Sequence, residues 1–475
     1  METHPALSKL TFHLCPSTLV LSPKMKIWII NPFDELPGDT DVRHRYWSLA
    51  ETLACPEPVE GAEKGHDVTW WSSDFSHRSK SRRDLGTKDE GRRTKVEGTD
   101  GNGSLVFCPS SLVHNPSSFV LRLIPTPPYQ RNVSLARWRS HQAFARNFRK
   151  TALEEIESGK LPPPDRIIVS LPPLGTADAA FAIRKRHGGE VVLDIMDAWP
   201  ETFYRVLPGF LGPLLLWPMQ QTAVRACRLA DRISAVSQVY IDLARSRAPD
   251  KPTHLCYHGI DLDEGLRTKD EGQRTKDEGS NSEPSLVFSP SSLVLTYIGS
   301  LERSYDLETA IMAIRYLEKD GFYPEFHIAG AGSQEAGLKE LADKLWPEEA
   351  ECPVHFHGLL DREGLQALLA RSSIGLIPMR QDSHVGLPYK LADYCAAGLA
   401  VVFSLDGECR RLLETKKAGS FYNPANVLDL SAVLKTYLQK PPRVREEGAN
   451  ARRLAEELFD RSITYPQLAE FVVGD

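Results

Sequence analysis

No uninterrupted run of about twenty apolar residues occurs in these 475 residues, which argues against a membrane span. Cysteine is scarce: the eight present are scattered, with neither metal-ligand spacing nor a disulfide framework, and Cys15, Cys55 and Cys108 fall in repetitive segments, so a reducing cytoplasm is the expected compartment. An excess of one charge is lacking too. Lys and Arg number 57 against 63 Asp and Glu, a net charge of −6 that argues against a nucleic-acid-binding surface. Residues Met1 to Leu21 lack the basic start and continuous apolar centre of a signal peptide, and the functional start is expected at Met25. No aspartate pair of metal spacing appears, so neither a metal nor a resident cofactor is expected. What is present, 41% hydrophobic and 25% charged residues, suffices for two substantial cores.

The richest stretch is Leu387-Pro388-Tyr389-Lys390-Leu391-Ala392-Asp393-Tyr394-Cys395-Ala396-Ala397-Gly398. It lies between two apolar runs, Ile374 to Pro378 and Ala400 to Phe403, that read as buried strands, so the segment between them is a crossover helix in a βαβ unit. Pro388 suits the first helical turn and Gly398 the position past its end. The loop from Met379 to Leu387 then lies at the carboxyl end of a parallel strand, facing the free N–H groups of a helix start, a corner that binds anions. Lys390 and Asp393 are three apart and share a helix face, so one ligand can meet an ammonium suited to phosphate and a carboxylate suited to sugar hydroxyls.

The pattern Pro388-x-Lys390-x-x-Asp393-Tyr394-x-Ala396-x-Gly398 resembles the nucleotide-sugar signature of GT-B glycosyltransferases, in the large retaining family called GT4. Many members carry two glutamates eight residues apart here, the second holding the donor ribose. Asp393 takes that second position, whereas the first falls on Val385, so this chain resembles the branch with Pro-x-Lys-x-x-(Asp/Glu)-Tyr, and Asp382, Ser383 and His384 are the nearby groups left to hold the sugar ring. The resemblance runs on through the apolar run Leu293 to Leu301, whose Gly299-Ser300 turn and following Arg303 stand where the family places a basic turn against the donor diphosphate. Ser300 and Tyr305 replace the usual Arg and Lys there. The strand ending in Gly330-Ala331-Gly332 matches the family's Ile-Ala-Gly-x-Gly segment. Strand Val354 to Gly358 and helix Arg362 to Ala370 complete a βαβα order, and Gly386 and Leu387 are counted with the donor-binding residues.

The first half repeats the architecture with a strand at Met25 to Asn31, a loop from Pro32 to Asp41 containing Gly38, a helix from Val42 to Ala50 and a strand ending at Ser73. By resemblance, Gly38 lets backbone approach the donor, Ser73 to His77 and Asp194 to Pro200 edge the acceptor cleft, and His258-Gly259-Ile260-Asp261 is the interdomain segment. His44 and His77 are candidates for contacting the reacting sugar, and Lys390 for stabilising the leaving diphosphate. The expected fold is α/β, two Rossmann-like domains facing across a cleft, at 25–262 and 293–455, with a non-core extension at 1–24 and a terminal helix within 456–475 packing back on the first domain.

Insertions are expected at about 54–62, 84–118 and 263–292. The stretch Thr87 to Gly98 recurs as Thr268 to Gly279, and both copies run into Ser-Leu-Val-Phe-x-Pro-Ser-Ser-Leu-Val, at Ser104 to Val113 and Ser285 to Val294. Two distant copies cannot stack as a solenoid, and surface loops tolerate added length at little entropic cost, so both are expected to be loops outside the strand-helix plan. The apolar stretch Val206 to Met219 fits either a packed helix or a patch resting on a bilayer, with Arg225 and Arg228 nearby. The resemblance implies an enzyme moving a sugar from a nucleotide-sugar co-substrate to a glycan or lipid-linked acceptor in cell-surface polysaccharide synthesis, cytoplasmic or peripheral at the membrane's inner face. A nucleotide-sugar 2-epimerase of the same fold and an inactive nucleotide-sugar-binding protein are the alternatives.

Overall fold

The computed structural model describes residues 24–37, 39, 43–54, 65–83, 94–99, 105–109, 119–131, 134–205, 212–262, 293–347, 351–381 and 386–474. Two sheets organise them. The first contains β1 (Lys26–Ile30), β2 (Asp67–Ser73), β3 (Thr94–Thr99), β4 (Leu105–Pro109), β5 (Phe119–Ile124), β6 (Arg166–Leu171), β7 (Glu190–Ile195), β8 (Arg232–Ala235) and β9 (Thr253–Leu255). Their order is β3-β4-β5-β2-β1-β6-β7-β8-β9. The second contains β10 (Val294–Ile298), β11 (Glu325–Ala329), β12 (Val354–Gly358), β13 (Ile374–Ile377), β14 (Ala400–Phe403) and β15 (Gly419–Phe421), in the order β12-β11-β10-β13-β14-β15. All pairings of the second sheet are parallel. Strands buried on both faces need no polar alternation, which is why Ile27 to Ile30, Ile374 to Ile377 and Ala400 to Phe403 read as continuous apolar runs. The α/β class and its two sheets are those expected from sequence.

The repetitive segment at 87–113 corrects the loop expectation. Its Thr94–Thr99 and Leu105–Pro109 form an antiparallel hairpin that pairs onto β5 and extends the sheet edge. The β-branched and aromatic residues of Leu-Val-Phe favour extended pairing wherever a sheet edge offers unpaired N–H and C=O groups, and β5 offers one. The second copy, at 263–292, lies outside the described residues, as do 55–64.

The chain crosses between the domains twice, and the two crossings touch. Ile260 N–H donates to Phe459 O (2.7 Å) and Arg461 N–H to Ile260 O (3.2 Å). Helix Arg461–Val473 then lies on the first domain, where Tyr465, Leu468 and Val472 pack with Ile27, Leu49 and Leu53, and Arg166 donates to the carbonyls of Val472 and Val473. A buried polar knot fixes the first domain beside this seam. Arg45 Nε meets Asp194 Oδ2 at 2.8 Å and its terminal nitrogens reach Asp194 Oδ1 (3.0 Å) and the carbonyls of Cys256 and Tyr257, while Tyr46 and Ser234 hydroxyls donate to the same carboxylate.

Candidate functional site

The carboxyl ends of β10 and β11 meet backbone to backbone at the cleft. Gly330, at φ +148°, stands where a Cβ would lie 1.8 Å from Gly299 O, so glycine is required by both conformation and space. Gly299, at φ +128°, leaves room of a second kind, since a Cβ there would lie 3.1 Å from Lys390 Nζ. The crossover helix runs Lys390–Ala396, so it begins two residues after Pro388, which was expected inside its first turn. Leu391 N–H bonds Pro388 O, which explains why the proline still sets the turn.

Between the two sheets lies a cavity of about 820 Å³, a size suited to a ligand of nucleotide-sugar dimensions. Gly299, Ser300, Gly330, Leu387, Lys390 and Asp393 all line it, together with Asp197, Tyr240 and Arg78 from the first domain. Lys390 is 6% exposed, and among the described residues its Nζ has no hydrogen-bond partner. It lies 3.9 Å from the ring centroid of Tyr297 and 3.7 Å from that of Tyr305. Burial pushes the Lys390 ammonium well below its ordinary range, and the Asp393 carboxylate pulls partly against that shift. Asp393 is itself pushed up to about 6, chiefly by burial, with Arg461 and Lys390 opposing. Two groups with perturbed protonation therefore face one cavity, as functional sites arrange them.

Other sequence candidates fall elsewhere. Arg303 is exposed on the turn after β10 and is absent from the cavity lining. Arg78 lines the cavity instead: it is exposed, and among the described residues it makes no hydrogen bond or ion pair. It directly follows the Ser73 to His77 segment, so the sequence reading stopped one residue short. His77 does not line the cavity. Its Nδ1 meets the Tyr129 hydroxyl at 2.5 Å, its ring packs on Phe33, and burial, with Arg137 and Lys80, lowers it to about 3, which keeps it neutral. His44 lines a neighbouring cavity of about 340 Å³ and is lowered to about 4 by burial and by Arg461 and Arg78. Asp393, His258 and Tyr389 line both cavities, and the His258 and Tyr389 rings lie 3.7 Å apart across the domain boundary. In the Asp194 to Pro200 segment, Asp194 serves the buried knot, whereas Met196 and Asp197 reach the cavity. Gly386 packs against Ser237 of the first domain, where a Cβ would lie 2.4 Å from the hydroxyl. Gly38, Asp382, Ser383 and His384 lie outside the described residues.

A further contact joins the domains beside the cavity. Both Glu408 carboxylate oxygens accept from Gln238 N–H (2.9 Å each), at the start of helix Gln238–Arg247, and Oε1 also accepts from the Tyr257 hydroxyl at 2.6 Å. Nothing in the local sequence around Glu408 marks this role, because its partners lie at least 151 residues away.

Residues 292–440 match the family model described as glycosyl transferases group 1. Among curated proteins, glycogen synthase of Mycobacterium tuberculosis is 28% identical over 168 residues, covering 35% of this chain and 39% of that protein. The chain thus spans about two-fifths of the length of that relative. The fold as a whole is similar to that of sucrose-phosphate synthase from Thermosynechococcus elongatus, with a TM-score of 0.62 at 13% identity over 94% of this chain and 98% of the other. It is also similar to an Anabaena protein solved in complex with UDP-glucose, with a TM-score of 0.55 at 14% identity over 94% and 98% of the two chains.

Proposed function

Starting from a second domain that is a group 1 glycosyltransferase domain within a GT-B fold, we propose that the protein transfers a sugar from a nucleotide-sugar donor to a glycan or lipid-linked acceptor. One observation carries the reading. A buried lysine ammonium without a hydrogen-bond partner among the described residues, flanked by two tyrosine rings, faces an interdomain cavity that also presents an arginine and a carboxylate. Such an ammonium is costly to bury alone and is matched by a diphosphate. In this reading Asp393 accepts from the ribose hydroxyls, the diphosphate lies over Gly299 and Ser300, and Lys390 and Arg78 take up the negative charge that grows as the glycosidic bond to the sugar breaks. The positive charge comes from these side chains rather than from a bound cation. Retention of configuration and a role in surface polysaccharide synthesis rest on the sequence resemblance.

The Asp393→Asn variant is expected to lose roughly 1.5–3 kcal/mol of nucleoside diphosphate binding by calorimetry, because a hydrogen bond to a charged acceptor becomes one to a neutral amide. Because the carboxyl is raised to about 6, wild-type affinity should rise as pH increases through that value and the accepting charge forms. Asp393→Asn should lack this component of the pH dependence. Equal affinity and equal pH dependence in the two proteins would remove Asp393 from the site. Incubation with donor alone separates a 2-epimerase, which would yield an isomer, from a transferase.

The acceptor side supports placement at a membrane surface. Helix Gly212–Leu229 buries Leu216, Ala223 and Ala226, yet leaves Leu214 at 74% and Trp217 at 61% exposure, with Leu215 also exposed and Arg225 and Arg228 further along. The packed-helix reading of this stretch describes its buried side, and 206–211 lie outside the described residues. Among the described residues no helix is long and apolar enough to cross a membrane. An apolar face with basic residues suits an anionic bilayer. The double variant Leu214→Ser/Trp217→Ser should therefore sediment with phosphatidylglycerol vesicles at least several-fold less than wild type, and equal sedimentation would dismiss the patch.

A further inference from the structure

At the end of the second sheet away from the donor cavity, parallel pairing sets His327 of β11 directly opposite His355 of β12. Glu325 lies two residues before His327 and therefore on the same sheet face. One ligand atom from each of Glu325, His327 and His355 lies within 4.8 Å of the others. The His327 and His355 rings stack at 4.6 Å, and His357 adds a third ring 5.2 Å from His327. His327 is 4% exposed, whereas the Glu325 side chain is 46% exposed and gives the cluster access to solvent.

The geometry points to a divalent transition-metal site, of the kind that takes Zn²⁺, formed by Glu325, His327 and His355. Two imidazoles and one carboxylate are a donor set that zinc favours, and three protein ligands leave one position for water. The hydrogen bonds around His327 define how the ion enters. Without metal, Arg371 donates to Nδ1 at 3.0 Å and Nε2–H donates to Glu325 at 3.0 Å. A cation between Nε2 and the carboxylate needs the Nε2 lone pair. The ring proton then resides on Nδ1, where His357 Nε2, 2.9 Å away, accepts it with the His357 proton moved to its own Nδ1, and Arg371, which is exposed, turns to solvent. One neutral tautomer replaces the other, so the ring keeps its proton count, and His357 becomes the partner that orients the ligating ring.

The site staples the edge strand β12 to β11. Glu325 begins the strand that ends at Ala329, about 13 Å away at roughly 3.3 Å per residue, and Ala329 and Gly330 line the donor cavity. The metal therefore stabilises the strand pair that supports the cavity without touching the ligand.

Untagged full-length protein, equilibrated with Zn²⁺ and dialysed, should retain one equivalent by elemental analysis and melt at a higher temperature than in chelator. His355→Gln and Glu325→Gln should each weaken retention at least tenfold. Both residues lie where truncation leaves the core intact, and all variants should melt alike in chelator. Arg371→Gln should tighten binding, since it removes a positive charge and the competing donor to Nδ1. Co²⁺ in place of Zn²⁺ should give visible bands that the His355→Gln variant lacks. Absence of a retained equivalent overturns the site, as does equal retention by wild type, His355→Gln and Glu325→Gln.

Discussion

Replacing Lys390 by Met is expected to slow turnover by about 10²–10³-fold, some 2.7–4 kcal/mol, while raising the melting temperature of the ligand-free protein. The two effects have one origin. The ammonium is buried between Tyr297 and Tyr305 with no hydrogen-bond partner among the described residues, and burial holds it well below its ordinary value. A lysine depressed in the folded state is protonated more readily in the unfolded chain. It therefore opposes folding at every pH below its unfolded value of about 10.4, increasingly so as pH falls toward the folded value. Methionine has similar reach and no charge, so it removes that cost. In the proposed site the leaving diphosphate would lose a cation at the moment its charge grows, so turnover should fall more than donor binding. Single-turnover rates and thermal melts at neutral pH and near pH 10.5 check both parts, the stability gap closing at the higher pH. A variant with parental turnover, or one that melts lower than the parent at neutral pH, would refute the assignment.

The second large effect belongs to the knot in the first domain. Asp194→Asn should cost about 3–5 kcal/mol of stability, because it leaves the Arg45 guanidinium buried beside a neutral amide. Burial alone would raise the Asp194 carboxyl, but Arg45 and the hydroxyls of Tyr46 and Ser234 outweigh it and hold the group below its ordinary value. For a carboxylate lowered in this way, the stabilisation is complete above the unfolded pKa near 4 and is lost as pH falls through the folded value. Denaturant unfolding should therefore show the largest gap between variant and parent at neutral pH, narrowing in acid. A loss below about 1 kcal/mol at pH 7 would mean that water replaces the ion pair at no cost.

These two residues also mark how far the sequence is readable. Lys390 is legible because strand, helix and closing glycine surround it within thirty residues, each announced by an apolar run or a turn residue. The sheets follow from the same signals, and so do the glycines of the cavity floor. The Arg45 to Asp194 pair is not legible, because 149 residues separate its partners and neither has a local reason to be charged. The same holds for Arg78, which gains its place from the meeting of two domains, and for the tyrosine rings around Lys390, which read as strand and turn aromatics. Arg303 shows the converse. Its position one turn beyond β10 suggested a phosphate contact, but the turn leaves it exposed and outside the cavity lining. The repetitive hairpin is hidden by its mixed-charge composition, since the extended-chain preference of its Leu-Val-Phe run takes effect only where β5 offers an edge.

The Glu408 contact gives the cleft a molecular latch with an electrostatic threshold. When the domains separate, the first N–H of helix Gln238–Arg247 and the Tyr257 hydroxyl must exchange one shared carboxylate for water, all in a single event. All three hydrogen bonds end on that one carboxylate, so they are kept or lost together. A substitution of Glu408, which does not line the donor cavity, would consequently remove every one of these contacts at once.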